Sequence, residues 1–178
     1  MSDIEARLKY LEDRFEIQDL ICEYVHSMED KDPERFKDCF TDDAEYLVGG
    51  MWGDFKGKDA IAETTSQFAF AFFESHHFTT GHHILNITGD TATGRCDAFV
   101  TAVDSEGTSI VSSASYKDEF RRCEDGKWRF SRRKIEMHYL VPWLEPQNLD
   151  ESSRFYHTPE LSGKLVALGK KREGASAD

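Results

Sequence analysis

Histidines and acidic residues are the side chains whose types and spacing in this sequence could do chemistry. The run SHHFTTGHHILNITGD contains four histidines, namely His76, His77, His82 and His83. Histidine is the side chain whose unperturbed pKa allows proton transfer near neutral pH. Upstream, Glu29 and Asp30 close a long amphipathic segment, and a carboxylate beside a histidine can orient the ring and stabilise its charge. The pattern points to acid–base chemistry. The alternative is that both carboxylates are ordinary solvated side chains at the end of a helix.

The same histidine run could bind a metal ion, but its pattern argues against this interpretation. A catalytic metal site needs three converging ligands, and the run has neither an HExxH motif nor a nearby carboxylate. Neighbouring residues of a strand also point to opposite faces of the sheet. We therefore expect one inward histidine, the others exposed, and no metal or other cofactor.

Other reactive groups are less informative. Arg132 and Arg133 are adjacent in WRFSRRKIE, so alternation on a strand sends one inward. A buried arginine needs an anionic partner, and Glu29 or a negative charge on the substrate would serve. No GxSxG motif and no glycine-rich phosphate loop occurs, so a serine nucleophile and a nucleotide site are not supported.

The composition limits the class of partner and the cellular location. The chain has 178 residues, a net charge of -12 and a pI of about 5.0, so a nucleic-acid partner is not expected. Its four cysteines are scattered singly, which favours free thiols over a zinc site or a disulfide framework. The charged first residues predict no signal peptide, and no apolar run is long enough for a membrane span. A cytoplasmic protein is expected.

Hydrophobic periodicity divides the chain into helices followed by strands. Apolar residues at three- and four-residue steps predict a helix over 4–30, a short helix after Asp32-Pro33, and a third helix over 58–73. Alternation and glycine-containing turns predict strands, which cover 44–48, 78–88, 91–104, 108–123 and 127–140.

This order of elements predicts an α+β fold. The helices would pack on the concave face of a cone-shaped, curved antiparallel sheet and leave a deep apolar hollow. Residues 1–143 would form this domain. Residues 144–178 would be a C-terminal extension that is partly helical, near 159–168, and then disordered.

Several segments in this order resemble the SnoaL-like branch of the nuclear transport factor 2-like superfamily, which has a cystatin-like α+β barrel. They are IQDLICEYVHSMEDKD, CFTDDAEYLVGGMWGDFKGKDAI, HHFTTGHHILNITGDTATG and SYKDEFRRCEDGKWRFSRR. Among the enzymes of that superfamily, the chain is most similar to gamma-hexachlorocyclohexane dehydrochlorinase. It is also similar to scytalone dehydratase and bile acid 7α-dehydratase.

The resemblance implies roles for individual residues. The catalytic histidine of these lyases falls on His77, its carboxylate partner on Glu29, and the arginine that assists elimination on Arg133. Tyr24, which by spacing alone reads as a core tyrosine, occupies the place of a lysine in the dehydrochlorinase and of a tyrosine in the bile acid dehydratase. Glu29 replaces an aspartate, so Asp30 remains an alternative partner for His77.

Together these features predict a cofactor-free lyase that removes a proton and eliminates water or halide from a small hydrophobic cyclic substrate. We expect the substrate pocket to be lined by Trp52, Phe68, Phe72 and Tyr116. The alternatives are a polyketide- or steroid-type cyclase or isomerase that uses the same pocket, and a non-catalytic domain that binds a small ligand. The resemblance also implies a homotrimer.

Overall fold

The computed structural model describes residues 3–50 and 52–142, apart from the side chains of residues 65, 66, 68–70 and 73. The predicted C-terminal extension, residues 144–178, lies outside the described residues. So does its predicted helix over 159–168. Among the described residues, no helix is both long enough and apolar enough to cross a membrane.

Three helices form the N-terminal part of the fold. They are α1 (Asp3–Glu29), α2 (Pro33–Asp38) and α3 (Lys58–Ala71). The turn between α1 and α2 is set by Asp32, whose side chain accepts hydrogen bonds from the backbone N–H groups of Glu34 and Arg35. Pro33 follows at the first turn, where its missing N–H has no cost. These local signals explain why the predicted break between the first two helices is correct.

Six strands form one sheet. They are β1 (Phe40–Gly49), β2 (Gly53–Lys56), β3 (Phe72–Thr88), β4 (Thr91–Asp104), β5 (Ser109–Arg122) and β6 (Trp128–Pro142). Their order across the sheet is β2-β1-β6-β5-β4-β3, so β2 and β3 are the edges and the sheet is not closed. The β1–β6 pair is parallel and the other four pairs are antiparallel. The α+β class, with N-terminal helices against a curved sheet, is confirmed.

The core lies between α1, α2 and the inner face of the sheet. It contains a cluster of aromatic rings from Tyr24, Phe36, Phe40, Tyr46 and Phe130, with centroid separations of 5.1 Å for Tyr24–Phe36 and 5.5 Å for Phe40–Phe130. All five rings are buried. Large rings at this spacing bury much apolar area and fix the position of α1 on the sheet.

Four elements differ from the sequence prediction, one of which is β1, which begins at Phe40 and not at residue 44. The third helix ends at Ala71 and β3 begins at Phe72, whereas we predicted helix to residue 73 and strand from residue 78. The long β4 pairs with this region as far as Phe72 opposite Asp104, and such pairing cannot be read from local periodicity. The short strand β2 was not predicted, because four residues after a glycine turn give almost no alternation signal.

Candidate functional site

A pocket lies between α1 and the inner face of the sheet. It encloses about 800 Å³ of unfilled space, including the part open to solvent. Its lining is mostly apolar, with a few polar groups, which is usual for small-molecule sites. Of the residues that the sequence predicted for the site, those that line this pocket are Tyr24, Trp52, Phe72, His77 and Tyr116. The side chain of Phe68 is outside the described residues.

Glu29 and His77 meet at one wall of this pocket. Glu29 is the last residue of α1, and its Oε1 accepts a hydrogen bond from the backbone N–H of His77 on β3. The Nδ1 atom of His77 lies 3.6 Å from the same oxygen, which is longer than a normal hydrogen bond. This Nδ1 is buried and has no hydrogen-bond partner within the described part of the chain. A small rotation of either side chain would give it one.

The electrostatics of Glu29 suit a partner for an imidazole. Burial alone would raise the pKa of Glu29, but its contacts with His77 outweigh that effect and hold the pKa below its ordinary value. Glu29 is therefore a carboxylate at neutral pH. Asp30, the alternative partner, instead forms a salt bridge with Arg35 at 2.7 Å and has an exposed side chain. Of the two acids, it is Glu29 that the structure brings to His77.

Two phenols share a hydrogen bond at the pocket lining. The hydroxyl oxygens of Tyr24 and Tyr46 are 2.7 Å apart, and either can be the donor. Both residues are about 1% exposed and both line the pocket. Burial raises the pKa of each phenol above its ordinary value, so both stay protonated. Two protonated hydroxyls that share one hydrogen bond leave one proton for another acceptor.

Arg133 is fully buried beneath the aromatic rings. Its Nε and Nη2 atoms donate to the two carboxylate oxygens of Asp118 at 2.8 and 2.7 Å. The guanidinium carbon lies 4.1 Å from the ring centroid of Tyr24 and 4.7 Å from that of Tyr116. Burial opposes the charge, but Asp118 more than compensates and pushes the pKa of Arg133 well above its ordinary value. Its anionic partner is therefore Asp118 and not Glu29, and Arg133 lies behind the pocket lining.

The profile of the SnoaL-like domain matches residues 9–134 of this chain. The chain belongs to the SnoaL-like domain family. Gamma-hexachlorocyclohexane dehydrochlorinase of Sphingobium indicum is 28% identical over 144 residues, which are 80% of this chain and 88% of that enzyme.

Solved structures also resemble this SnoaL-like domain. The structure of hexachlorocyclohexane dehydrochlorinase LinA-type3 from Novosphingobium barchaimii has a TM-score of 0.73 at 25% identity, and covers 81% of this chain and 99% of that one. A putative scytalone dehydratase from Novosphingobium aromaticivorans has a TM-score of 0.69 at 19% identity, with 77% and 91% covered, which shows a shared fold alone. The family and fold inferred from the sequence are confirmed.

A second histidine of this SnoaL-like domain also turns inward, which corrects the expectation of one. Thr80 pairs with Asp97 and His83 with Arg95, so Gly81 and His82 together oppose a single residue of β4. This β-bulge, with Gly81 at a φ of +64°, reverses the alternation. His82 consequently has a buried Nε2 atom without a hydrogen-bond partner among the described residues. Burial lowers its pKa, and the nearby Arg133 lowers it further.

The other two histidines, His76 and His83, are exposed. Within residues 3–50 and 52–142, no group of three histidine, cysteine or acidic side chains is arranged to hold a metal ion.

Several residues of the pocket region were not singled out from the sequence. Tyr46 and Asp118 are the partners of Tyr24 and Arg133, and they lie on other elements, 22 and 15 residues away in the chain. Lys31 also lines the pocket, and its Nζ donates to the carbonyl oxygen of Phe72 at 3.2 Å. The alternation of the strands could have indicated which face Tyr46 and Asp118 occupy, whereas Lys31 lies in the turn between α1 and α2 and has no such signal.

Proposed function

We propose that this protein is a lyase that acts without a cofactor. It removes a proton from a small hydrophobic cyclic substrate and eliminates a β-substituent, which is a hydroxyl group or a halide. The observation that carries the proposal is the position of His77, which lines an apolar pocket and has the Glu29 carboxylate beside its Nδ1. The similarity to dehydrochlorinases supports the reaction class.

His77 acts as the base. A proton on Nδ1 faces Glu29, which leaves the lone pair of Nε2 to accept the substrate proton. The electrons of the broken C–H bond form the new double bond, and the leaving group departs with the electrons of its own bond. Glu29 stabilises the imidazolium that results, because it is already ionised at neutral pH. This division of roles is the usual one for a histidine and a carboxylate.

Tyr24 assists the departure of a hydroxyl group. Hydroxide is a poor leaving group and needs a proton, whereas chloride leaves as the anion. The pair formed by Tyr24 and Tyr46 has one proton that is free to donate, and burial keeps both phenols neutral. The pair thus supports dehydration more than it supports loss of halide.

Arg133 acts through other residues in this mechanism. Its charge is paired with Asp118, and its guanidinium stacks on Tyr24 and Tyr116. It therefore fixes the tyrosine rings and lowers the cost of negative charge on a phenol oxygen, as a positioning residue. Trp52 and Phe72, whose ring centroids are 5.8 Å apart, provide apolar surface for a ring-shaped substrate. Phe68 belongs to this proposed set through the sequence prediction alone, and the trimeric assembly and the cytoplasmic location also remain proposals.

A substrate panel tests the proposal. Cyclic hydroxy-ketones, hydroxysteroids and chlorinated cyclohexanes are incubated with the protein, with and without EDTA, and unsaturated products are measured by mass spectrometry. We expect elimination product from at least one class at a rate that EDTA does not change. Activity that EDTA abolishes and zinc restores would overturn the mechanism. Tight ligand binding without turnover across the panel would favour the non-catalytic alternative.

A further inference from the structure

The first half of α1 exposes an apolar stripe. Ile4, Leu8, Leu11 and Phe15 are 75%, 55%, 50% and 63% exposed. The face of α1 that packs on the sheet is a different one, and its buried residues begin at Asp13. A single exposed leucine is normal, but a continuous stripe of four large side chains marks an interaction surface.

The spacing of the stripe is that of a coiled coil. Its residues are separated by four, three and four positions, which are the steps between the d and a positions of a heptad. Continuing the pattern leads to Gln18, which is partly exposed, and to Cys22, which is exposed. The seam, defined as Ile4, Leu8, Leu11, Phe15, Gln18 and Cys22, therefore runs along one accessible line of the helix. A stripe of this period fits another helix with the same pattern.

Charges beside the seam select the partner and its direction. In this register Arg7 and Arg14 occupy g positions, and Glu12 and Asp19 occupy e positions. In a parallel arrangement, each g residue faces the e residue of the next heptad on the other helix. Arg7 would face Glu12, and Arg14 would face Asp19, so both contacts join opposite charges. An antiparallel arrangement would place arginine against arginine and acid against acid.

These charges are available for such contacts. Within the described part of the chain, Arg7, Glu12 and Asp19 have no ion-pair partner, and the Arg14 guanidinium contacts only the ring and hydroxyl of Tyr10. We propose that copies of this chain associate in parallel through the α1 seam. The inference does not depend on the proposed reaction, because it rests on residues 4–22 alone.

The mass of the protein in solution gives the first test. We expect sedimentation equilibrium to give a multiple of the 20.4 kDa chain mass. Leu8→Glu and Leu11→Glu should each raise the dissociation constant by about tenfold or more, since the seam would bury unpaired carboxylates. Ala6→Glu is the matched control, because Ala6 is exposed on the same turns but lies off the seam. Seam variants with an unchanged mass, or a monomeric wild type, would overturn the proposal.

Charge reversal tests the parallel direction. Arg7→Glu combined with Arg14→Glu should weaken association, and adding Glu12→Arg and Asp19→Arg to the same chain should restore it. All four side chains are exposed or half-buried on α1, so circular dichroism should show an unchanged fold. Failure of the second pair of substitutions to restore association would contradict the parallel pairing.

Crosslinking at Cys22 gives an independent test of direction. In a parallel seam Cys22 meets Cys22 of another copy, so mild oxidation should give a covalent dimer that Cys22→Ser abolishes. Cys39 and Cys96 are buried and do not compete, and because Cys123 is partly exposed, the chains with and without Cys22 are both compared in a Cys123→Ser background. A dimer that persists in Cys22→Ser, or no dimer from associated wild type, would overturn the parallel direction.

Discussion

Two buried tyrosines, Tyr24 and Tyr116, stack on the buried Arg133, and a third, Tyr46, shares a hydrogen bond with Tyr24. Tyr24, Tyr46 and Tyr116 all line the pocket, and burial raises the pKa of each phenol. Arg133 opposes that effect, because its positive charge favours the phenolate. At the scale of single residues, this arrangement yields neutral hydrogen-bond donors whose conjugate bases are partly stabilised.

Tyr24→Phe tests the role of this donor. The substitution should lower kcat about 100- to 10,000-fold for a substrate that loses a hydroxyl, because hydroxide departs without its proton donor. A chlorinated substrate should be affected much less, since chloride needs no proton. The measurement is kcat for both substrate classes, with Tyr46→Phe as the control that keeps the Tyr24 hydroxyl. Equal losses with both leaving groups would show that the effect of Tyr24→Phe is structural.

Glu29→Gln tests the carboxylate. The amide can still accept the backbone hydrogen bond of His77 but cannot stabilise an imidazolium, so kcat should fall at least about 100-fold while KM changes little. Glu29→Asp should retain more activity, because it keeps the charge. A loss confined to thermal stability, with kcat unchanged in both variants, would assign Glu29 a structural role only.

At the scale of elements, the β-bulge in β3 decides which histidines face the pocket side. Ideal alternation from His77 would turn His82 outward, and the extra residue at Gly81 turns it inward. The Cβ of an alanine at position 81 would be 3.6 Å from Asp97, an ordinary contact, so the positive φ is the main obstacle to substitution.

Gly81→Ala should therefore lower both stability and activity. Forcing an alanine into the left-handed region costs about 1 kcal/mol, which lowers Tm by about 2–4 °C for a chain of this size. Relief of that strain would shift the register of the strand that carries His77, and so reduce kcat. Gly107→Ala has a similar φ of +85° in a turn away from the pocket and should lower Tm alone. Identical kcat values for the two variants would contradict a role of the bulge in the site.

The sequence predicted the β4, β5 and β6 strands to within two residues at each end, because glycine turns mark their boundaries. Gly89, Gly107 and Gly126 all have positive φ, which other residues adopt only with strain. The bulge, the start of β3 and the parallel β1–β6 pair were beyond prediction, because each depends on the register of pairing with another strand, which local periodicity does not indicate.

For the candidate site, the residues alone left four histidines as possible bases and two acidic residues as possible partners of the base. The family resemblance selected His77 and Glu29, and the structure places them side by side. The resemblance could not indicate that Asp118 pairs with Arg133 or that Tyr46 shares a hydrogen bond with Tyr24, since these contacts depend on strand register.

At the scale of the whole molecule, one acidic residue joins α1 to the far end of the sheet. Asp13 is buried, accepts hydrogen bonds from Arg122 and Lys9, and lies 3.4 Å from Nε1 of Trp128. Burial would raise the pKa of Asp13, but these hydrogen bonds outweigh it and lower the pKa. A lowered folded-state pKa stabilises the fold above the ordinary pKa, and this contribution is lost as the pH falls through the lowered value.

Asp13→Asn should consequently destabilise the protein by about 1–3 kcal/mol at pH 7, and by less as the pH falls below about 4. The measurement is the free energy of unfolding in urea at several pH values. Glu63→Gln, an exposed change on α3, is the control and should have little effect. A constant difference between wild type and Asp13→Asn at every pH would exclude the linkage to ionisation of Asp13.

The role of His77 as the base is measured most directly by the kcat/KM of His77→Ala on the best substrate of the panel. His83→Ala, an exposed change on the same strand, is the matched control, and circular dichroism checks the fold of both. We expect a loss of about 100- to 10,000-fold for His77→Ala and near wild-type activity for His83→Ala. A folded His77→Ala variant that keeps wild-type kcat/KM would show that His77 is not the base.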